Sequence, residues 1–165
     1  MCTAAPVKTA TLLRLGIPQP GAVQPSGYSE RERDNVSVIV VLGGAGLQGA
    51  GAARALAANE SITQVVVADR FLDQAEAIVE SLGGKGVAAE VDASDLSTIT
   101  QLVRTFAPSV LLNCVGPYRR FGAATLKVAI DAGVNYIDLL DDGEVVPTYF
   151  ELDDEARAAG VTAVF

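Results

Sequence analysis

Histidine and tryptophan are absent from this chain, and cysteine occurs twice, at Cys2 and Cys114. The two cysteines lie far apart, with no CxxC spacing and no Cys/His cluster, which argues against a disulfide framework or a structural zinc site. The lack of histidine leaves Asp, Glu, Lys, Tyr and Cys as the general acid–base candidates, and none is compelling from sequence. No apolar run is long enough to cross a membrane. The N-terminus has no apolar core of a secretory signal, so the expected location is cytoplasmic. Cationic character is also scarce: the formal charge is −8, which disfavours nonspecific binding to nucleic acid or an anionic membrane. It leaves room for a small phosphate ligand held by backbone amides, since that needs no net positive charge.

What the chain has is aliphatic. Half of its 165 residues are apolar while aromatics make up only 5%. A core built from Val, Leu, Ile and Ala suits an α/β protein, whose buried parallel strands read as aliphatic runs. The length suffices for one domain. Residues 1–35 stand apart. They hold four of the seven prolines and end in the charged run Ser29-Glu30-Arg31-Glu32-Arg33-Asp34. They are expected to form a poorly ordered tail, with a docking arm as the alternative.

From Val36 onward, apolar runs predict strands at 37–42, 64–68, 87–91, 109–113, 135–139 and 161–165. Segments of helical spacing lie between them. Phe71, Leu72, Ala75, Ile78, Val79 and Leu82 form one face, Leu96, Ile99, Val103 and Phe106 a second, and Tyr149, Leu152, Ala156 and Ala159 a third. Gly83-Gly84, Pro108, Gly133 and Gly160 read as helix stops. This alternation predicts βαβ units in a doubly wound, mostly parallel six-stranded sheet spanning 36–165.

The run Val38-Ile39-Val40-Val41-Leu42 leads directly into Gly43-Gly44-Ala45-Gly46-Leu47-Gln48-Gly49. Gly44, Gly46 and Gly49 satisfy GxGxxG between a strand and an Ala-rich helix. Gly44 is expected to permit the tight turn, Gly46 to let the backbone approach a pyrophosphate, and Gly49 to bring helix against strand. The helix N-terminus would face the phosphates. Asp69 ends the second strand, 20 residues after Gly49, where a carboxylate accepts hydrogen bonds from both ribose hydroxyls of NAD and repels the 2′-phosphate of NADP. Arg70 keeps NADP open, because its guanidinium can pair with that phosphate or lie on the adenine. A βαβ unit whose glycines serve only packing, or one that takes another nucleotide-like ligand, are the competing readings.

The stretches VVLGGAGLQG (40–49), VVVADR (65–70), VDASD (91–95), LLNCVGPYRRFG (111–122), AIDAGVNYIDL (129–139) and EARAAGVTAVF (155–165) resemble the N-terminal NAD(P)-binding Rossmann domain of the saccharopine dehydrogenase family. NCVGPY followed by AGVNYID is the specific part. The resemblance implies a two-domain oxidoreductase that uses NAD or NADP, with members acting at a C–N bond of an amino acid. By position it places Asp92 near the adenine and Asn113, Cys114, Val115 and Gly116 along the cofactor. Pro117 and Tyr118 would shape the nicotinamide side, and Asp138 would lie toward the substrate. Cys114 also reads as a small buried hydrophobe, and it lacks a histidine base that would make it a nucleophile. Asp138, Asp141, Asp142 and Glu144 form an acidic group that reads as a solvated loop rather than a metal site.

The chain departs from the family in length. Its sequence stops within the expected sixth strand, whereas members continue into a substrate domain. No catalytic residue is assigned. The expected function is therefore the cofactor-binding half of such an oxidoreductase, inactive alone. A stand-alone sensing or regulatory dinucleotide module, and a domain that kept the fold but lost the ligand, are the alternatives. Apolar surface beside the last strand predicts self-association.

Overall fold

The computed structural model describes residues 37–165, so the expectations for residues 1–35 fall outside the described part. In chain order the elements are β1 (Val38–Leu42), α1 (Leu47–Ala57), β2 (Gln64–Asp69), α2 (Leu72–Val79), β3 (Gly86–Glu90), α3 (Leu96–Phe106) and β4 (Val110–Asn113). There follow α4 (Tyr118–Ala132), β5 (Asn135–Asp138), α5 (Val146–Phe150), α6 (Asp153–Ala159) and β6 (Ala163–Val164). All six strands join one sheet in the order β3-β2-β1-β4-β5-β6, and every pairing is parallel. The winding runs outward from β1 to β3, then crosses back to β4 and continues to β6. The reversal falls between β1 and β4, where an open α/β sheet forms a crevice at its carboxyl edge.

Sequence alternation explains the two layers. Ile39, Val41, Val65 and Val67 point to one face and pack with Ala53 of α1, Ala75 of α2 and Leu82. Val38, Val40, Leu42, Val66, Ala68, Leu111 and Tyr136 point to the other and pack with side chains of α3, α4, α5 and α6. Period-two alternation sends neighbouring residues to opposite faces, and both faces are covered, so β1 is buried throughout. Each fully buried Val or Leu contributes about 1.5–3 kcal/mol.

The helix stops lie where the sequence puts them. Gly83, Gly133 and Gly160 take left-handed caps. Ahead of Pro108 the cap is Ala107, at φ 42°. The differences are local. The face written for α2 is not wholly buried, because Phe71 caps the helix at 45% exposure and Leu72 begins it at 37%. The last predicted helix is two. Leu152 N–H donates to Tyr149 O at 3.1 Å, a tight i→i−3 turn that breaks the α register between α5 and α6. The sixth strand keeps only two residues in the ladder, since Val161 N–H returns to Ala156 O and Thr162 N–H goes to the side chain of Asn135.

Candidate functional site

The carboxyl ends of β1, β2, β3 and β4 surround a cleft of about 320 Å³. Gly43 and Gly46 line it after β1, and Asp69, Arg70 and Asp92 line it on the β2 and β3 side. Cys114, Val115 and Gly116 form the opposite wall.

The glycines divide the work differently from the simple motif reading. The left-handed residue is Gly43, at φ +69°, so the tight turn depends on Gly43 rather than Gly44. Gly44 is needed for close approach: a Cβ there would lie 2.7 Å from Val67 Cγ1 and 2.9 Å from Val41 O. Gly49 is needed for the same reason, since its Cβ would fall 2.2 Å from Gly43 O. Gly46 is the open one. It has φ −68°, and an added Cβ would meet only Gly43 O, at 3.2 Å. The protein itself constrains position 46 less than 44 or 49, and Gly46 lines the cleft.

The turn is braced from β2. Gly44 N–H donates to Ala68 O, and Ala45 N–H donates to Asp69 Oδ2 at 3.1 Å. Asp69 Oδ1 accepts from Phe71 N–H at 3.2 Å. Both oxygens retain lone pairs for a ligand. Gly46 N–H is spent on Gly43 O, while Gly46 O accepts from Ala50 N–H to open α1. Leu47 and Gln48 are exposed at the first turn of α1, where amides lack intrahelical acceptors and carry the positive end of the helix dipole. No side chain caps this end. The arrangement fits a pyrophosphate at 46–48 and a ribose at Asp69.

Asp92 lines the cleft beside Asp69. Hydrogen bonds from the Ser94 hydroxyl and amide hold its carboxyl below the usual range. Arg70 lies over the Phe71 ring, 4.6 Å from its centroid, at the same end.

On the β4 side the expectations divide. Cys114, Val115 and Gly116 line the cleft, but Asn113 does not: it is fully buried. Its amide faces inward, with Nδ2 donating to Tyr136 Oη at 3.0 Å and Oδ1 accepting from Val115 N–H at 2.9 Å. Alternation along β4 turns this side chain into the core, so it acts on the cleft through the Val115 backbone. Burial, and secondarily the Asp138 charge, push the Cys114 thiol up to about 11, so it is neutral near pH 7. Pro117 and Tyr118 sit in an adjoining depression with Gln48, Arg119, Arg120, Asp141 and Asp142. Burial is the main cause that also raises the Tyr118 phenol.

The acidic group after β5 does not act as a unit. Asp138 turns into the core at 5% exposure. Asp142 and Glu144 pair with Arg119 at 3.0 and 3.2 Å. Among the described residues no cluster of His, Cys, Asp or Glu converges to hold a metal ion, and no helix is long and apolar enough to cross a membrane. Sequence reasoning missed the two buried tyrosines behind this wall, Tyr136 as the partner of Asn113 and Tyr149 as a partner of Asp138, because a strand or helix pattern records them only as core.

A parallel sheet of this order, with a glycine turn opening a helix at its switch point and a carboxylate ending the next strand, defines an NAD(P)-binding domain of the dehydrogenase type. The chain belongs to the saccharopine dehydrogenase NADP binding domain family, whose sequence model matches residues 39–164. Carboxynorspermidine synthase of Vibrio cholerae is 25% identical over 145 residues, covering 76% of this chain and 34% of that protein. Carboxyaminopropylagmatine dehydrogenase of Synechocystis is 30% identical over 100 residues, covering 60% of this chain and 25% of that protein. The chain thus spans about a third or less of these curated relatives. Among solved structures, 3-hydroxyacyl-CoA dehydrogenase type-2 from Mycobacterium avium superposes with a TM-score of 0.62 at 12% identity, over 82% of this chain and 74% of that one. The Bordetella bronchiseptica enzyme WbmG, solved in complex with NAD, gives 0.51 at 19% identity, over 64% and 38%. At these identities the structural likeness speaks for the fold.

Proposed function

We propose that this chain is the cofactor-binding half of an oxidoreductase that transfers hydride at a C–N bond of a carboxylated, amino-acid-like amine, with NAD preferred over NADP. The observation that carries the reading is the cleft lined by both Gly46 and Asp69: the motif glycine least constrained by the protein's own packing shares it with an acceptor already oriented by two backbone amides. Both curated relatives are named for carboxylated amines, which supports the substrate class.

The nicotinamide supplies or accepts the hydride when bound. This chain's residues bind and orient it. The first-turn amides of α1 receive the diphosphate, Asp69 the adenosine ribose, and the 114–116 wall the nicotinamide half. Hydride transfer also requires a positioned substrate and a proton-transfer group, and no residue of the cleft takes that role. The domain is accordingly inactive by itself.

NADH and NADPH titrations of the purified chain test this, with Asp69→Ala alongside. The expected result is binding of NADH in preference to NADPH. Asp69→Ala should weaken NADH by about 1–3 kcal/mol, the cost of charge-assisted hydrogen bonds, and leave NADPH less affected. Failure of both cofactors to bind would overturn the reading, and stronger NADPH binding would overturn the preference.

A further inference from the structure

We infer that Asp138, Tyr136 and Asn113 form a positioning device that holds the Val115–Gly116 turn in place for the nicotinamide half of the cofactor. The inference rests on the dinucleotide reading of the cleft and adds residues that do not touch it.

Asp138 ends β5 as a buried carboxylate with no Lys or Arg paired to it among the described residues. Three donors satisfy it instead. Tyr136 Oη donates to Oδ2 at 2.9 Å, Tyr149 Oη to the same oxygen at 2.6 Å, and Leu140 N–H to Oδ1 at 3.1 Å. A phenol has one proton, and the Asp138 carboxylate at 2.9 Å is a nearer and stronger acceptor for that of Tyr136 than the Gly122 carbonyl at 3.4 Å. With that proton directed to Asp138, Tyr136 Oη can only accept from Asn113, so the Asn113 amide must present Nδ2 to it. Oδ1 is thereby aimed at the Val115 N–H. A flipped amide would set its oxygen against a phenol oxygen whose proton is committed, and its NH₂ against another N–H. The carboxylate thus dictates, through one phenol, where the first residue beyond the β4 ladder sits.

A second observation shows that the arrangement is built rather than incidental. Gly122 of α4 lies so close that a Cβ would fall 1.7 Å from Tyr149 Oη. The helix is left bare so that this hydroxyl can reach Asp138. Burying a carboxylate without a cation is costly, and aliphatic side chains of similar volume would serve packing as well or better. Specificity of geometry is what the aliphatic alternative lacks. The segment so held, Val115–Gly116, lies across the cleft from Asp69 and Asp92. A dinucleotide whose ribose is at Asp69 and whose diphosphate is at the α1 N-terminus extends its second half to that wall.

The test uses two ligands that share the adenosine diphosphate part. NADH is titrated by its own fluorescence and ADP by calorimetry, on the full chain and on Tyr136→Phe. The wild-type chain should bind both. Tyr136→Phe should weaken NADH roughly five- to tenfold, as expected for losing one oriented hydrogen bond, and change ADP less than about twofold. Equal weakening of both ligands would mean a merely structural role and overturn the inference, as would unchanged NADH affinity. If Tyr136→Phe does not fold, Asp138→Asn, nearly isosteric, must show the same selective loss. A wild-type chain that binds neither ligand would fail the dinucleotide reading itself, before the variants are compared.

Discussion

Gly46 and Gly49 are three positions apart, and their substitutions should fail in opposite ways. Gly46→Val should remove cofactor binding while costing less stability than Gly49→Ala, because φ −68° suits any residue and the added Cβ would press Gly43 O at 3.2 Å rather than 2.2 Å. Gly49→Ala should cost about 3 kcal/mol, because the clashing atom is the Gly43 carbonyl, which cannot swing away. NADH titration and urea unfolding of both variants check this. Cys114 makes a third case. Its folded-state value, about 11, lies above the ordinary value near 9, so the native state holds the proton more tightly. The stability this gives is whole below about pH 9 and is lost as pH rises toward 11. Thiol labelling of the native chain should accordingly keep accelerating past pH 9, and a plateau at pH 9 would contradict the buried placement. The glycine spacing, Asp69 and the cleft-lining 114–116 were legible from sequence because motif chemistry is local. The duty of Gly43, the inward turn of Asn113 and the tyrosines behind it were not. They depend on φ, on which face a strand residue takes, and on contacts between positions up to 23 residues apart.

At the scale of elements, the glycine and proline stops held because one residue carries each, whereas the cap of α3 went unread. Asp95 caps α3, its carboxylate accepting from Ser97 N–H at 2.9 Å. Asp95→Ala should lower stability by about 1 kcal/mol, with a matching fall in the urea midpoint and an unchanged slope. The doubly wound parallel sheet, too, was expected from the alternation of strands and helices, though not the order of its strands. The split between α5 and α6 was not visible. Tyr149, Leu152, Ala156 and Ala159 keep a helical spacing across it, and the tight turn at Leu152 rotates the chain without breaking that spacing. Tyr149, within α5 just before this turn, reaches Asp138 at 2.6 Å, a buried contact that the spacing does not record.

At the scale of the whole molecule, the cleft joins four strands from both halves of the sheet. A ligand there binds the folded chain and not the unfolded one. NADH at about 100 times its dissociation constant should raise the unfolding free energy by about 2.7 kcal/mol. Thermal melts at increasing NADH should show a continuing rise, and a flat response would argue against cofactor binding at the switch point.

The α1 amides proposed to receive the diphosphate carry a further consequence for kinetics. They act over a few ångströms, whereas the net charge of −8 acts over the Debye length and repels an anionic ligand on its approach. Capture by peptide dipoles inside an acidic protein should therefore quicken as ionic strength rises, opposite to the behaviour of a site lined with lysines. Dissociation, governed by the short-range contacts, should respond much less.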